Sequence, residues 1–172
     1  MSLTWSPGIH ADKNSQFGIL WGLSVPDADN TNPFHLFGVK GASFLSPALS
    51  VGGYYIVSDH AGEVSTANKF RYSLTGIEGA YHIPAATGDT FIATRIGIAK
   101  LQKTPNGTDT TFSPYHYGIA SGYDYYFNSF LSIGFEGSYI HCIPNRTNVN
   151  GVDINLDSFN IISFLISLQL RL

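Results

Sequence analysis

The sequence predicts an all-β protein, an eight-stranded antiparallel up-and-down β-barrel that crosses a membrane. Three observations predict this fold. Apolar and polar residues alternate over long stretches, and a period of two is the pattern of a β-strand. Charged residues make up only 12% of the chain, against roughly 25% in an average soluble domain. No run of about 18 apolar residues occurs, so these apolar residues cannot form a membrane-spanning helix.

The whole chain, residues 1–172, is predicted to form one domain, because this length is short for two. The formal net charge of −3 gives no reason to expect a nucleic-acid partner. With a single cysteine, Cys142, no intramolecular disulfide can form. The first residues, MSLTWSPG, do not have the pattern of a secretory signal. Either the protein is not exported, or a signal peptide was removed and a start methionine supplied, and the strand pattern described below favours the second.

Eight strands are predicted in chain order, separated by turn-rich stretches. They cover residues 15–25, 34–44, 48–58, 67–82, 90–104, 112–126, 130–142 and 157–171. The longer, polar connections are residues 26–33, 59–66, 105–111 and 144–156, and the mostly shorter ones are residues 45–47, 83–89 and 127–129. Alternation of long and short connections is typical of transmembrane barrels. An even number of strands then brings both termini to the side of the short turns.

The parity of each strand separates a large apolar face from a small or polar one. On the first strand the apolar set is Phe17, Ile19, Trp21, Leu23 and Val25. The fifth, sixth and seventh strands repeat the pattern with Ile, Tyr and Phe opposite Gly, Ala and Ser. The last strand places Ile162, Phe164, Ile166, Leu168, Leu170 and Leu172 on one face. A soluble barrel would expose mostly Gly, Ala and Ser, whereas soluble surfaces are rich in Lys and Glu. We therefore predict that the apolar face contacts lipid and the polar face lines a narrow lumen.

With this pattern the chain resembles the small eight-stranded bacterial outer-membrane barrels, the group of OmpX and the OmpA transmembrane domain. The resemblance covers nearly the whole chain. Phe164, Ile166, Leu168, Leu170 and Leu172 are similar to the C-terminal sorting signal by which the assembly machinery recognises that group, although the group usually ends in Phe. The resemblance to these barrels implies that the protein is a monomer in a Gram-negative outer membrane, with both termini periplasmic and lipopolysaccharide around it. A soluble ligand-binding barrel is the alternative fold.

Six charged residues within strands are predicted to face the lumen: Lys40, Arg71, Glu78, Arg95, Asp124 and Glu136. Lys40, Glu78, Arg95 and Glu136 are expected near mid-depth, Arg71 toward the outside and Asp124 toward the periplasm. Glu78 and Arg95 fall on adjacent strands, so a direct ion pair is expected. Arg71 and Glu78 have opposite parity on one strand, and both can face inward only if a bulge interrupts residues 75–77. Internal pairing is needed for a polar lumen to fold, and the functional alternative is a gate or a proton-accessible site.

No cofactor or metal site is predicted, because the six histidines lack short ligand spacings. Some outer-membrane barrels modify lipid A, and such an enzyme needs Ser and His together at the interface. Ser138 and His141 differ in parity, and His116 has no acid neighbour at its depth. We therefore predict that the protein is not an enzyme.

The function predicted is a structural or surface-interaction role through the extracellular loops, with a small-solute or ion channel as the alternative and lipid A modification as the second alternative. Eight strands leave an interior that side chains fill, so a wide pore is not expected. Lys69, Lys100 and Lys103, near the outer ends of two adjacent strands, are candidate contacts for lipopolysaccharide phosphates. The other partners expected are outer-membrane lipids and the assembly machinery.

Overall fold

The computed structural model describes residues 14–27, 33–58, 68–105, 110–149 and 152–172, and these ranges consist of strands joined by short turns and extended links. Within them, no helix is long and apolar enough to span a membrane. The strands are β1 (Ser15–Pro26), β2 (Phe34–Ser46), β3 (Leu49–Ser58), β4 (Asn68–Ala85), β5 (Gly88–Pro105), β6 (Thr110–Phe112), β7 (Tyr115–Tyr126), β8 (Leu131–Cys142), β9 (Asn145–Val149), β10 (Val152–Leu156) and β11 (Phe159–Arg171).

Eight of these strands close into an antiparallel barrel. The order around the barrel is β1, β2, β3, β4, β5, β7, β8 and β11, and β11 pairs with β1 to complete the ring. β6 pairs only with the far end of β5, and β9 with β10 forms a separate hairpin. We call the end with the connections at 47–48, 86–87 and 127–130 the turn end, and the opposite end the loop end. The predicted fold class is confirmed.

Two connections differ from the prediction. Residues 83–89 were expected to form a connection, but β4 and β5 pair as far as Ala85 and Gly88, which leaves a two-residue turn. Residues 144–156 were expected to be a loop, yet they contain the β9–β10 hairpin. In both places backbone pairing continues beyond the alternating apolar pattern, and that pattern was the only guide that the sequence offered.

The outer surface of the barrel carries an apolar belt. Trp21 is 50% exposed, Ile96 56% and Phe164 66%, which is the reverse of a soluble barrel. On β11 the outward residues run from Ile162 to Leu172, a rise of about 33 Å along the strand. With a strand tilt of about 40°, the belt is about 25 Å tall, the height of the hydrocarbon layer around outer-membrane barrels.

The interior divides into two halves. The loop-side half is filled by one cluster of apolar side chains, which we call the plug: Leu20, Leu36, Tyr54, Ile56, Tyr72, Leu74, Ala99, Leu101, Phe112, Ile140, Cys142, Leu156, Phe159, Ile161 and Leu165. Leu156 belongs to β10, so the loop-end hairpin contributes to it. The middle and turn-side half contain the buried charges. The polar face predicted to line the lumen thus carries mainly apolar side chains in the loop-side half, beside the buried Ser24, Ser58 and Ser163.

Candidate functional site

The middle of the lumen holds four charged side chains in mutual contact, which we call the central network. Arg95 donates from Nη1 and Nη2 to Glu136 Oε1 and Oε2 at 2.6 and 2.9 Å. Its Nε donates to Glu78 Oε2 at 2.6 Å, and Lys40 Nζ donates to Glu136 Oε2 at 3.3 Å. Arg95 is 1% exposed. Two cations and two carboxylates cancel, so each charge in the network has an opposite partner, as charges removed from water require.

Strand register brings the central network together. Glu78 on β4 lies directly opposite Arg95 on β5, which realises the predicted pair. Arg95 faces Gly118 across the next seam. A Cβ at Gly118 would come within 2.9 Å of the Ile140 Cα and 3.0 Å of its Cγ1, so only glycine fits there. Glycine on the lumen face thus gives the long side chains of neighbouring strands room to reach across the barrel.

Tyr54 and His116 lie at the boundary between the central network and the plug. Tyr54 Oη and His116 Nε2 share a buried hydrogen bond of 2.6 Å. The Arg95 guanidinium lies 5.0 Å from the centroid of the Tyr54 ring, within cation–π range. Both side chains therefore present a polar edge to the charges while Tyr54 packs into the plug.

A second polar set, the turn-side group, consists of Asp89, Asp124, Tyr126, Gln169 and Arg171. Tyr126 Oη donates to Asp89, and Gln169 Nε2 donates to Asp124 Oδ1 at 2.7 Å. The Arg171 guanidinium lies 3.9 Å from the Tyr126 ring centroid. All five side chains are at most 7% exposed. Sequence reasoning included Asp124 but missed the other four, although Gln169 and Arg171 lie on the polar parity of the last strand.

Four of the six predicted lumen charges form the central network, and a fifth, Asp124, lies in the turn-side group. The sixth prediction is wrong, because Arg71 is exposed on the outer face. Its lumen position required a bulge at residues 75–77. The pairing of β4 with β5 is instead continuous through Thr75, Gly76 and Ile77, so strand parity places Arg71 outside and Glu78 inside.

Arg71 joins Lys100 just beyond the apolar belt at the loop end. Arg71 lies opposite Gln102, and Lys100 lies opposite Ser73, so the two cations occupy diagonal positions on β4 and β5. Lys100 is also exposed. We call this pair the basic rim. The side chains of Lys69 and Lys103 lie outside the described part of the structure.

The side chains considered for catalysis do not come together. Ser138 is buried on the lumen face at 6% exposure. His141 lies on the outer face, where its Nδ1 hydrogen-bonds Asn160 Oδ1 at 2.8 Å. His116 is paired with Tyr54 in the lumen. The described residues contain no group of three or more His, Cys, Asp or Glu side chains able to hold a metal ion.

Solved structures of outer-membrane barrels are similar to this chain in fold. Ail, the attachment invasion locus protein of Yersinia pestis, is 12% identical, with a TM-score of 0.63 over 94% of this chain and 100% of Ail. Neisserial surface protein A (NspA) is 9% identical, with a TM-score of 0.65 over 92% of this chain and 96% of its own. The N-terminal β-barrel domain of Pseudomonas aeruginosa OprF is 11% identical, with a TM-score of 0.58 over 91% and 98%.

No protein-family model and no curated protein matches the sequence. At identities of 9–12% the structural likeness shows the fold alone. The resemblance to eight-stranded outer-membrane barrels is thereby confirmed at the level of architecture.

Proposed function

We propose that this protein is a non-enzymatic, non-conducting barrel of the bacterial outer membrane that acts through its loop end at the cell surface. The observation that carries the proposal is the plug. Leu36, Ile140 and Ile161 within it are at most 1% exposed, and a layer of buried apolar side chains disfavours the passage of hydrated ions. This argues against the small-solute or ion channel considered from the sequence.

The loop end offers a surface that a partner can contact. β4 and β5 have 18 residues each, against 10 to 13 in the other barrel strands. The described outward residues beyond Ile98, which include Ser73, Arg71 and Lys100, are polar, so these strands continue past the lipid. The β9–β10 hairpin adds the exposed ion pair Arg146–Asp153 at the same end. Binding residues are commonly carried on such projections from a rigid scaffold.

The similar solved structures favour the same kind of role. The name of Ail refers to attachment and invasion, and Ail has been solved with the heparin analogue sucrose octasulfate. NspA is named as a surface protein. We propose a surface-interaction role of this kind, with the loop end outside, both termini periplasmic, and β11 as the strand that the assembly machinery recognises.

The basic rim is proposed to contact lipopolysaccharide phosphates. Arg71 and Lys100 are exposed at the edge of the apolar belt, where the headgroup phosphates of the surrounding leaflet lie. Guanidinium and ammonium groups both bind phosphate oxygens strongly. The pair Arg71→Gln and Lys100→Gln should reduce lipopolysaccharide retained through purification, as measured by native mass spectrometry. Arg146→Gln, at the hairpin, is the matched control, and unchanged retention in the double variant would contradict this contact.

Conductance across a planar bilayer tests the proposed function. Purified protein should insert and stay electrically silent in molar KCl, because the plug closes the loop-side half. Insertion is checked separately by protection of the belt from protease. Steady unitary currents from inserted wild-type protein would overturn the non-conducting role and favour the channel.

A further inference from the structure

Arg171 carries a buried positive charge whose hydrogen-bonding groups are unused. It is 4% exposed, and its Nε, Nη1 and Nη2 have no hydrogen-bond partner among the described residues. The guanidinium lies over the face of the Tyr126 ring in a cation–π contact. That contact does not supply a hydrogen-bond acceptor for its N–H groups. Buried polar groups in folded proteins are nearly always hydrogen-bonded, but the described residues supply no acceptor for this guanidinium.

Two further unpaired atoms belong to the same layer of the lumen. Ser132 Oγ and Gln169 Oε1 are buried and have no partner among the described residues. Ser132 lies opposite Gln169 on one side and Tyr126 on the other, and Gln169 precedes Arg171 by two positions on the same face of β11. A charged donor, a hydroxyl and an amide oxygen therefore line one region of the turn-side half.

The acidic side chains in this half already accept hydrogen bonds. Asp89 accepts one from Tyr126 and Asp124 accepts one from Gln169 Nε2. The negative charges of these two aspartates repel any further anion, and the neutral central network does not offset that repulsion. Any anion here must consequently be small, and it must be held by the directed N–H groups of Arg171 rather than by a general positive field. We expect millimolar affinity for that reason.

We propose that the turn-side half of the lumen binds a small oxyanion, a phosphate or a carboxylate, through the Arg171 guanidinium with help from Ser132. The planar fork of a guanidinium matches two oxygens of such a group. Because the plug fills the other half, the anion enters and leaves through the turn end. Binding there does not depend on transport or on the loop-end role proposed above.

Nuclear magnetic resonance of the full chain folded in dodecyl maltoside tests this site, and that detergent carries no phosphate of its own. Inorganic phosphate and, separately, acetate are titrated to about 50 mM, with sodium chloride at matched ionic strength as the reference. The Arg171 Nε–H resonance and the Gln169 side-chain amide should shift with saturation in phosphate or acetate. The chloride series should leave both signals in place.

Three variants sharpen the titration. Arg171→Gln should abolish the saturable shift of the Gln169 amide, and Ser132→Ala should weaken binding about two- to tenfold. Arg146→Gln removes an exposed arginine from the β9–β10 hairpin and should leave the response unchanged. Heat-dependent mobility in SDS gels confirms that each variant is folded, and Ser132→Ala still tests the site if Arg171→Gln does not fold. Shifts that grow linearly, match those in chloride, or survive in Arg171→Gln would overturn the proposal.

Discussion

The two halves of the lumen are lined by the same eight strands with the same parity, yet they differ in chemistry. The plug in the loop-side half is a single cluster of buried apolar side chains. The middle and turn-side half contain the central network and the turn-side group, which depend on ion pairs and hydrogen bonds. The barrel therefore combines a mostly apolar half with a polar half, and the two can be changed separately by substitution.

The largest effect is expected from removing a charge in the central network. Arg95→Met would leave Glu78 and Glu136 buried with one cation, Lys40, between them. Breaking a buried ion pair from one side costs about 3–5 kcal/mol. Arg71→Met is the matched control, because it removes an exposed arginine, and surface ion contacts are worth about 1 kcal/mol or less. Urea unfolding in lipid vesicles measures both. Equal losses would mean that the two arginines occupy similar environments.

The next largest effect is expected in the plug, and it is measured by comparing alanine substitutions at two adjacent residues of β11. Ile161 is 0% exposed inside the lumen, and Ile162 is 46% exposed to the outside. Ile161→Ala should cost about 3–5 kcal/mol, because a cavity adds to the lost transfer free energy. Ile162→Ala should cost about 2 kcal/mol, the transfer contribution alone, since lipid fills the space. If Ile162→Ala were the costlier change in the same unfolding assay, the assignment of inside and outside would be wrong.

Strand parity explains why so much of the fold was predictable. Lys40, Arg95 and Glu136 fall on the small, polar parity of strands whose other face is strongly apolar, so their lumen position follows from alternation. The same rule would have placed Arg71 outside. It was placed inside only by assuming a bulge, although the pairing of β4 is regular. For Arg71, the alternation of side chains along a regular strand therefore decides its position, and the expectation that strand charges face the lumen does not.

The plug and the turn-side group were less predictable for a different reason. Leu36, Leu74 and Ile161 interrupt the polar parity of their strands, and each resembles a local irregularity when one strand is considered alone. Only the register across several strands brings them into one layer. Arg171 lies one residue from the end of the chain, and its contact with Tyr126 depends on how far β11 and β7 extend toward the turn end.

A smaller effect is expected at the boundary between the two halves. Tyr54→Phe removes the hydroxyl that pairs with His116 and leaves His116 Nε2 buried without that partner. An unsatisfied buried polar atom costs about 1–3 kcal/mol. Tyr115→Phe, at a tyrosine that is 67% exposed, should change stability by less than about 0.5 kcal/mol. The two variants are compared by their midpoints of urea unfolding, provided that the free energy of unfolding depends on urea with the same slope in both. Equal midpoints would show that the hydrogen bond contributes nothing to the stability of the folded state.

The smallest expected effect concerns the outer surface and sharpens the contrast with the lumen. Combined Arg71→Gln and Lys100→Gln should change the free energy of unfolding by less than about 1 kcal/mol in vesicles without lipopolysaccharide, because both side chains are exposed. In vesicles that contain lipopolysaccharide, the wild type should gain stability over the double variant, since a ligand that binds only the folded state stabilises it. A large loss without lipopolysaccharide would instead indicate that these cations are structural, and that the rim belongs with the buried charges of the barrel.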